Sequence, residues 1–548
     1  MGRGTRYLAV AALAAGVLAL LPAGATGTQL FKSGRTAGEI TAHSAIVWAR
    51  LIRPKTVRAQ VATDSSFHHQ VARRRVKAKP KNDMTVQRKI GGLKPGRTYW
   101  YRFCTLPRKF RGGGDQAGRR RRCSGKGRFE TAPAPGDTKT IRFAYTGDET
   151  GVHEPGSDKP FWGYFRAWHT IVGEKNDFNI DFGDTIYSDP EVPGWGNRTA
   201  LTVPDKWAMY RRKLRVGNMR RARAATGMYN HWDDHEFRND FSIPEFGREV
   251  YDHGVRAFRD YEPVHYTKQD GIYRSVRWGK NLELFFLDER SFRSAKASDN
   301  GTCDNPDTGQ PDLAPTAPKD KRQLFSTLIP SLAAPVSQEC KRKIDNPNRT
   351  MLGKPQLHRF LADVKSSDAR WKVVMNETPI QQFYGLPYDR WEGYAYERVQ
   401  LLKALENANV NNLVFLTTDT HAAFANVVRL RSLDGDIAPS NAPASPTDTP
   451  YDDFIIGPVA TKPFWEEIDD TTGKPGSGEL LSQVFFHPPP PQGVGMACSQ
   501  GGQQSYAEVT VKRGSLTVEY KKSDGSPVMD INGSPCGPYV LSGGGPGG

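Results

Sequence analysis

Between residues 28 and 132 apolar and polar positions alternate in short runs. SAIVWARL, TVRAQVATD and RTYWYRFCT have the period of two that turns one face of a strand inward. GGLKPGR places glycine and proline just before the last of them, where a turn is needed. The pattern predicts a small β-sandwich over 28–132, ending in a linker at TAPAPGDT (131–138). From Thr140 to about Leu430 the rhythm changes to solid apolar runs separated by helical periodicity, as in FWGYFRAWHTIVGE, PQLHRFLADVKSS and AYERVQLLKALENAN. Alternating strands and helices predict an α/β sheet. A Pro-, Asp- and Asn-rich insertion interrupts it at 298–350, and YAEVTVKRGSLTVEYKK returns to strands before a glycine-rich tail expected over 536–548.

Each apolar run of the central region leads into polar, mostly acidic residues. IRFAY leads to Asp148. DFNIDF leads to Asp184 and Tyr187, and GMYNHW to Asp233, Asp234 and His235. LELFFL leads to Asp288 and Arg290, KVVM to Asn376 and Glu377, and NLVFLT to Asp419 and His421. In α/β sheets the carboxyl edge is where ligands bind. A single aspartate after a strand more often shapes a turn or caps a helix. Six in order are different: acids converging on one edge repel unless cations neutralise them. Carboxylates with one or two imidazoles suit hard or borderline metals.

The ends of the chain and its charge set the compartment. Arg3 and Arg6 precede an apolar run from Tyr7 to Leu21, and Ala23 and Ala25 follow. That is the order of an export signal, expected over 1–25. The run is shorter than the roughly 20 residues that span a bilayer, and no transmembrane segment is expected. Six cysteines fall into neighbouring pairs: Cys104 with Cys123, Cys303 with Cys340, Cys498 with Cys536. Disulfides in a secreted or wall-associated protein are expected. The net charge is +17, with dense patches at Arg119–Arg122 and Arg211–Arg223. Such a field attracts anionic substrates, but no recognition motif marks a dedicated nucleic-acid binder. No GxSxG elbow occurs in the central region, and no GxxxxGK[ST] loop occurs at all.

GD, GDxxY, a D-H-E triplet followed by Asn239, LDxR and a late TDTH, in that order, resemble the calcineurin-like metallophosphoesterases. Within them they are most similar to the PhoD-like branch of alkaline phosphatases and phosphodiesterases, relatives of the purple acid phosphatases. The resemblance implies an α/β fold of two mixed sheets packed between helices, the metallophosphoesterase domain spanning 139–535 behind the N-terminal sandwich. It implies that Asp184 bridges two metal ions, with Asp148, Tyr187 and His421 completing one site and Asp234 and Asp419 the other. His235 then acts on the phosphoryl oxygens or the leaving group, with Asn239 and Arg290 as further contacts. Relatives in this branch often carry Ser-Cys in the first motif. Here Gly147-Asp148 stands in that place, so a carboxylate replaces the thiolate. Fe3+ and Ca2+ are the expected ions, with Mn2+ or Zn2+ as alternatives. The expected substrate is a phosphate ester, whether small molecule, lipid or wall polymer, and the expected state a monomer. A phosphodiesterase or phospholipase D-type hydrolase, and an inactive wall-binding protein, are the competing readings.

Overall fold

The computed structural model describes residues 28–106, 122–189, 199–436 and 438–543. The expected export signal and most of the basic loop at Arg119–Arg122 lie outside them. Among the described residues no helix is long and apolar enough to cross a membrane.

Two mixed sheets form the body. The first has six strands in the order Gly227–His231, Phe178–Phe182, Ile141–Thr146, Ser505–Val511, Ser515–Lys522 and Tyr539–Ser542. The second has seven, in the order Arg274–Trp278, Leu282–Phe286, Trp371–Asn376, Leu413–Thr417, Thr447–Ile455, Ala423–Arg431 and Cys498–Gln500. Every apolar run that leads to a candidate site residue is a strand. The three in the first sheet are parallel to one another, and so are the three in the second. Phe178–Phe182, Gly227–His231 and Leu413–Thr417 are buried at every position, so both their faces are covered. This is why their sequences are solidly apolar rather than alternating.

The sheets pack face to face. Phe143, Phe178 and Tyr229 of the first share a core with Trp278, Phe286 and Met375 of the second. The Phe178 ring lies 4.4 Å from that of Trp278 and 4.9 Å from that of Phe143. Helices Arg166–Gly173, Lys354–Ser366 and Ala395–Asn407 lie among the predicted helical segments. The first starts five residues later than its periodicity predicts, because Gly163 and Phe165 adopt left-handed φ values of 80° and 54° that a helix cannot contain.

The N-terminal pattern folds into two small antiparallel sheets, with strands drawn from Arg35 to Glu130. They are fastened to the body by Trp48, whose Nε1 donates to the Asp260 carbonyl at 2.8 Å, and by Arg211, 2.6 Å from Asp83. The 298–350 insertion holds two short helices, Lys319–Phe325 and Gln338–Ile344. All three expected disulfides are present. One expectation needs correction: the segment from 536 is no loose tail as far as residue 543. Tyr539–Ser542 pairs with Ser515–Val518, and the Tyr539 ring packs 5.3 Å from Phe454. Residues 544–548 lie outside the described set.

Phe178 touches the facing sheet through Trp278 and is fully buried. Phe178→Ala is expected to lower folding stability by about 3–5 kcal/mol, measured by denaturant unfolding. A loss well under 1 kcal/mol would contradict this account of the interface between the sheets.

Candidate metal centre

The parallel strands of both sheets end at one rim, and there the chain turns sharply. Asp148, Asp184, Asp419 and His421 all adopt left-handed backbone, with φ of 58°, 47°, 64° and 54°. Residues other than glycine enter that region at a cost of roughly 1–3 kcal/mol, which persists where the surroundings over-determine it. Here they do. Asp148 N donates to the Gly183 carbonyl and Glu149 N to the Asp184 carbonyl, while Ala460 N reaches the Asp148 carbonyl. The Thr418 hydroxyl donates to the Phe182 carbonyl at 2.9 Å, tying the two sheets together at the rim. Glycine precedes two of the acids for want of space. A Cβ on Gly147 would overlap the Phe182 carbonyl, and one on Gly183 would come 3.0 Å from the Asp233 side chain.

The side chains so aimed form overlapping clusters. Ligand atoms of Asp148, Asp184 and His421 lie within 4.8 Å of one another, as do those of Asp184, Asp234 and His235, and of Asp233, Asp234 and Asp419. Asp184 is common to the first two. The Tyr187 hydroxyl lies 3.0 Å from His421 Nε2, and its ring 4.1 Å from that of His235. Six expected residues (Asp148, Asp184, Tyr187, Asp234, His235 and His421) are thus brought together in the buried rim, each at most 5% exposed. Asp419 joins them with its side chain 20% exposed.

Electrostatically the set is unstable by itself. Both carboxylate oxygens of Asp148, and one each of Asp233 and Asp234, are buried without a hydrogen-bond partner. Burial pushes the Asp148 carboxyl up to about 8, against the opposing pull of His421 and with Asp233 adding to it. Burial likewise raises Asp184 and Asp419 well above the ordinary carboxylate range, with Asp233 and Asp234 adding repulsion. Orphaned buried oxygens facing one another are what a cation relieves. Carboxylates, imidazoles and a phenol make a hard-to-borderline donor set, so the residues present fit bound metal ions.

Residues to which the sequence assigned no role hold this set in place. Asp189 accepts from His235 Nδ1 at 2.6 Å and from the backbone of Asn239 at 2.7 Å. Glu467 accepts from His421 Nδ1 at 2.7 Å. Glu236, fully buried, accepts from Thr185 N at 2.6 Å and Asp233 N at 2.9 Å, stapling the Asp184 turn to the Asp234 turn. Asp240 and Asp389 extend the acids beyond Asp234. Glu236 is the last residue of the D-H-E triplet, Asp189 stands two places after Tyr187 and Asp240 directly after Asn239, whereas Glu467 and Asp389 lie outside every recognised motif. Asn239 is exposed, and it is the next residue, Asp240, whose carboxylate joins the acids.

Arg290 is fully buried and surrounded by acid. Its guanidinium sits 2.5 Å from Asp233, 2.7 Å from Asp389 and 3.5 Å from Asp419. In the basic patch Arg211–Arg223, Arg211 is bound to Asp83 and Arg212 lies beside Met209 and the His153–Asp158 loop. Removing one partner of a buried ion pair typically costs about 3–5 kcal/mol. Arg290→Met is expected to destabilise the chelator-treated protein by that amount, and a divalent cation to restore part of the loss. An unchanged denaturation midpoint would deny Arg290 the role of counter-charge.

Comparison with known proteins bears on the family and the fold. Residues 153–483 match the family described as PhoD-like phosphatase, and residues 18–133 the family described as PhoD-like phosphatase, N-terminal domain. Alkaline phosphatase D of Bacillus subtilis (strain 168) is 27% identical over 438 residues, 72% of this chain and 65% of that protein. The match therefore spans just under two thirds of the relative's own length. The solved structure of PhoD superposes with a TM-score of 0.65 at 21% identity, over 94% of this chain and 89% of that one. Purple acid phosphatase PPD1 from yellow lupin (Lupinus luteus) seeds superposes with a TM-score of 0.51 at 11% identity, over 90% of this chain and 73% of that one. Both share the fold. With the family's match covering more than half of its residues, this chain belongs to the PhoD-like phosphatases.

Proposed function

We propose that the protein is a metal-dependent phosphoesterase that acts outside the cytoplasm and hydrolyses phosphate monoesters. The observation that carries this reading is the meeting of Asp148, Asp184, Asp234, Asp419, His235 and His421 at one rim, with buried oxygens that no protein group satisfies. Asp184, common to two of the clusters, would be shared between two ions. Asp148, Tyr187 and His421 would complete one site, for which Fe3+ is the best fit, because a phenol and an imidazole accompany the carboxylates. Asp234 and Asp419 would complete the other, whose oxygen donors favour Ca2+, with Mn2+ or Zn2+ as alternatives. When bound, a cation pair of this kind neutralises phosphoryl oxygens and lowers the pKa of water at the site.

The chain's own groups do the rest. His235 donates from Nε2 towards the phosphoryl oxygens or the leaving group. The Asp189 carboxylate holds the ring at Nδ1, and against the opposing effect of burial the imidazole helps keep Asp189 below the usual carboxylate range. Arg290 draws Asp233, Asp389 and Asp419 together and offsets part of their charge from its buried position. Asn239 stands exposed beside Asp189 as a contact at the mouth of the site. Support for an extracytoplasmic location comes from three disulfides and from the charged, apolar and small-residue order at the chain's start.

Asp184→Asn is expected to bring hydrolysis of p-nitrophenyl phosphate to background with an unchanged circular dichroism spectrum, and Tyr187→Phe to cost less. Substantial turnover by folded Asp184→Asn would sink the proposal. Run in parallel, bis(p-nitrophenyl) phosphate is expected to be the poorer substrate; the reverse order would replace the monoester assignment with a diester one.

A further inference from the structure

His421 is held at two points by one turn of a helix from far along the chain, Phe464–Thr472. The first helical N–H, that of Phe464, donates to the His421 carbonyl at 3.0 Å. Three residues later, on the same face, Glu467 accepts from His421 Nδ1 at 2.7 Å. With Nδ1 protonated toward the carboxylate, the ring's lone pair is on Nε2, the atom that lies 3.0 Å from Tyr187 Oη, and a ring nitrogen of His421 falls in one cluster with Asp148 and Asp184.

The helix itself is firmly anchored. Phe464 packs on Phe424 and Phe486, at 5.5 and 6.0 Å between rings. Trp465 donates from its backbone to the Gly501 carbonyl and from Nε1 to Ser482 Oγ. Glu467 contributes none of this anchoring, and its side chain is 40% exposed. The neighbouring Glu466 shares its place in the first helical turn but is exposed. Any general benefit of acids near a helix start belongs to both, whereas the contact with His421 belongs to Glu467 alone.

We infer that Glu467 is a positioning residue for the metal centre, fixing the tautomer and ring orientation of His421 so that Nε2 faces Asp148 and Asp184. The inference rests on the reading of His421 as a metal ligand. It adds a residue from outside every recognised motif and makes the Phe464–Thr472 helix part of the site's support. A carboxylate behind a ligating histidine also raises the basicity of the ligand nitrogen, and losing such a partner typically weakens metal binding by 10–100-fold.

The test is titration of Mn2+ into the chelator-stripped full-length protein, with the His421 tautomer followed by long-range 1H–15N spectra of the imidazoles. Glu467→Ala is expected to weaken the tighter Mn2+ site by about 10–100-fold and to convert His421 from the Nδ1–H form to a mixture. Glu467→Gln, whose amide oxygen still accepts from Nδ1–H without bringing charge, should fall between, and Glu466→Ala should match the parent. All three should keep the parent's thermal midpoint when metal-free. An Nε2–H tautomer in the parent protein, or Mn2+ binding unchanged by Glu467→Ala, overturns the inference. Asp184→Asn separates the two layers. If it abolishes Mn2+ binding while Glu467→Ala has no effect, the metal centre stands and the positioning role falls. If it binds Mn2+ as the parent does, the metal reading itself fails.

Discussion

Negative charges gathered at close range in a buried place require opposite charge, and that requirement organises this molecule. Asp148, Asp184, Asp233, Asp234 and Asp419 come from four different strand ends and meet where water has little access. Arg290 answers part of the demand from within the protein, engaging Asp233, Asp389 and Asp419 at once. On the side of Asp148 and Asp184 the demand is left open, since the groups nearest to them are imidazoles, a phenol and more carboxylates. A cluster neutralised on one flank and open on the other is a receptacle for cations rather than a structural salt-bridge network.

Holding acids against their own repulsion takes rigidity, and the fold supplies it from behind. Two sheets interlock through aromatic side chains such as Phe178 and Trp278, while Thr418 joins their edges at the rim. Glu236 clamps two ligand-bearing turns together by their backbones. Left-handed conformations at four of the candidate ligands show that the surrounding hydrogen bonds dictate where those side chains point.

Much of this was legible in the sequence because strand ends and acids are both local signals. Each apolar run became a strand, and Asp148, Asp184, Tyr187, Asp234, His235, Asp419 and His421 all reached one place, since parallel strands deliver whatever follows them to the same edge. What escaped depends on long-range packing. Glu467 lies 46 positions beyond His421 in an acidic stretch with no feature to distinguish it from Glu466. Asp389 sits in a loop whose sequence reads as ordinary turn chemistry. Arg290 was recognised as important, but its complete burial among acids could not be read from an LDxR pattern. The late start of the Arg166–Gly173 helix and the strand Tyr539–Ser542 were missed for a related reason: a backbone turned left-handed in one case and a partner strand in the other overrode local composition.

The pairing of Ile141–Thr146 with Ser505–Val511 has a bearing on how the protein is made. The strand that presents Asp148 is flanked on one side by residues that leave the ribosome more than three hundred positions later. The nascent chain therefore carries this edge of the strand unpaired until Ser505–Val511 has been made, while Phe178–Phe182 is already available on the other side. Contacts of such separation form slowly, so the backing of the Asp148 strand is completed only after every candidate ligand of the centre has been made.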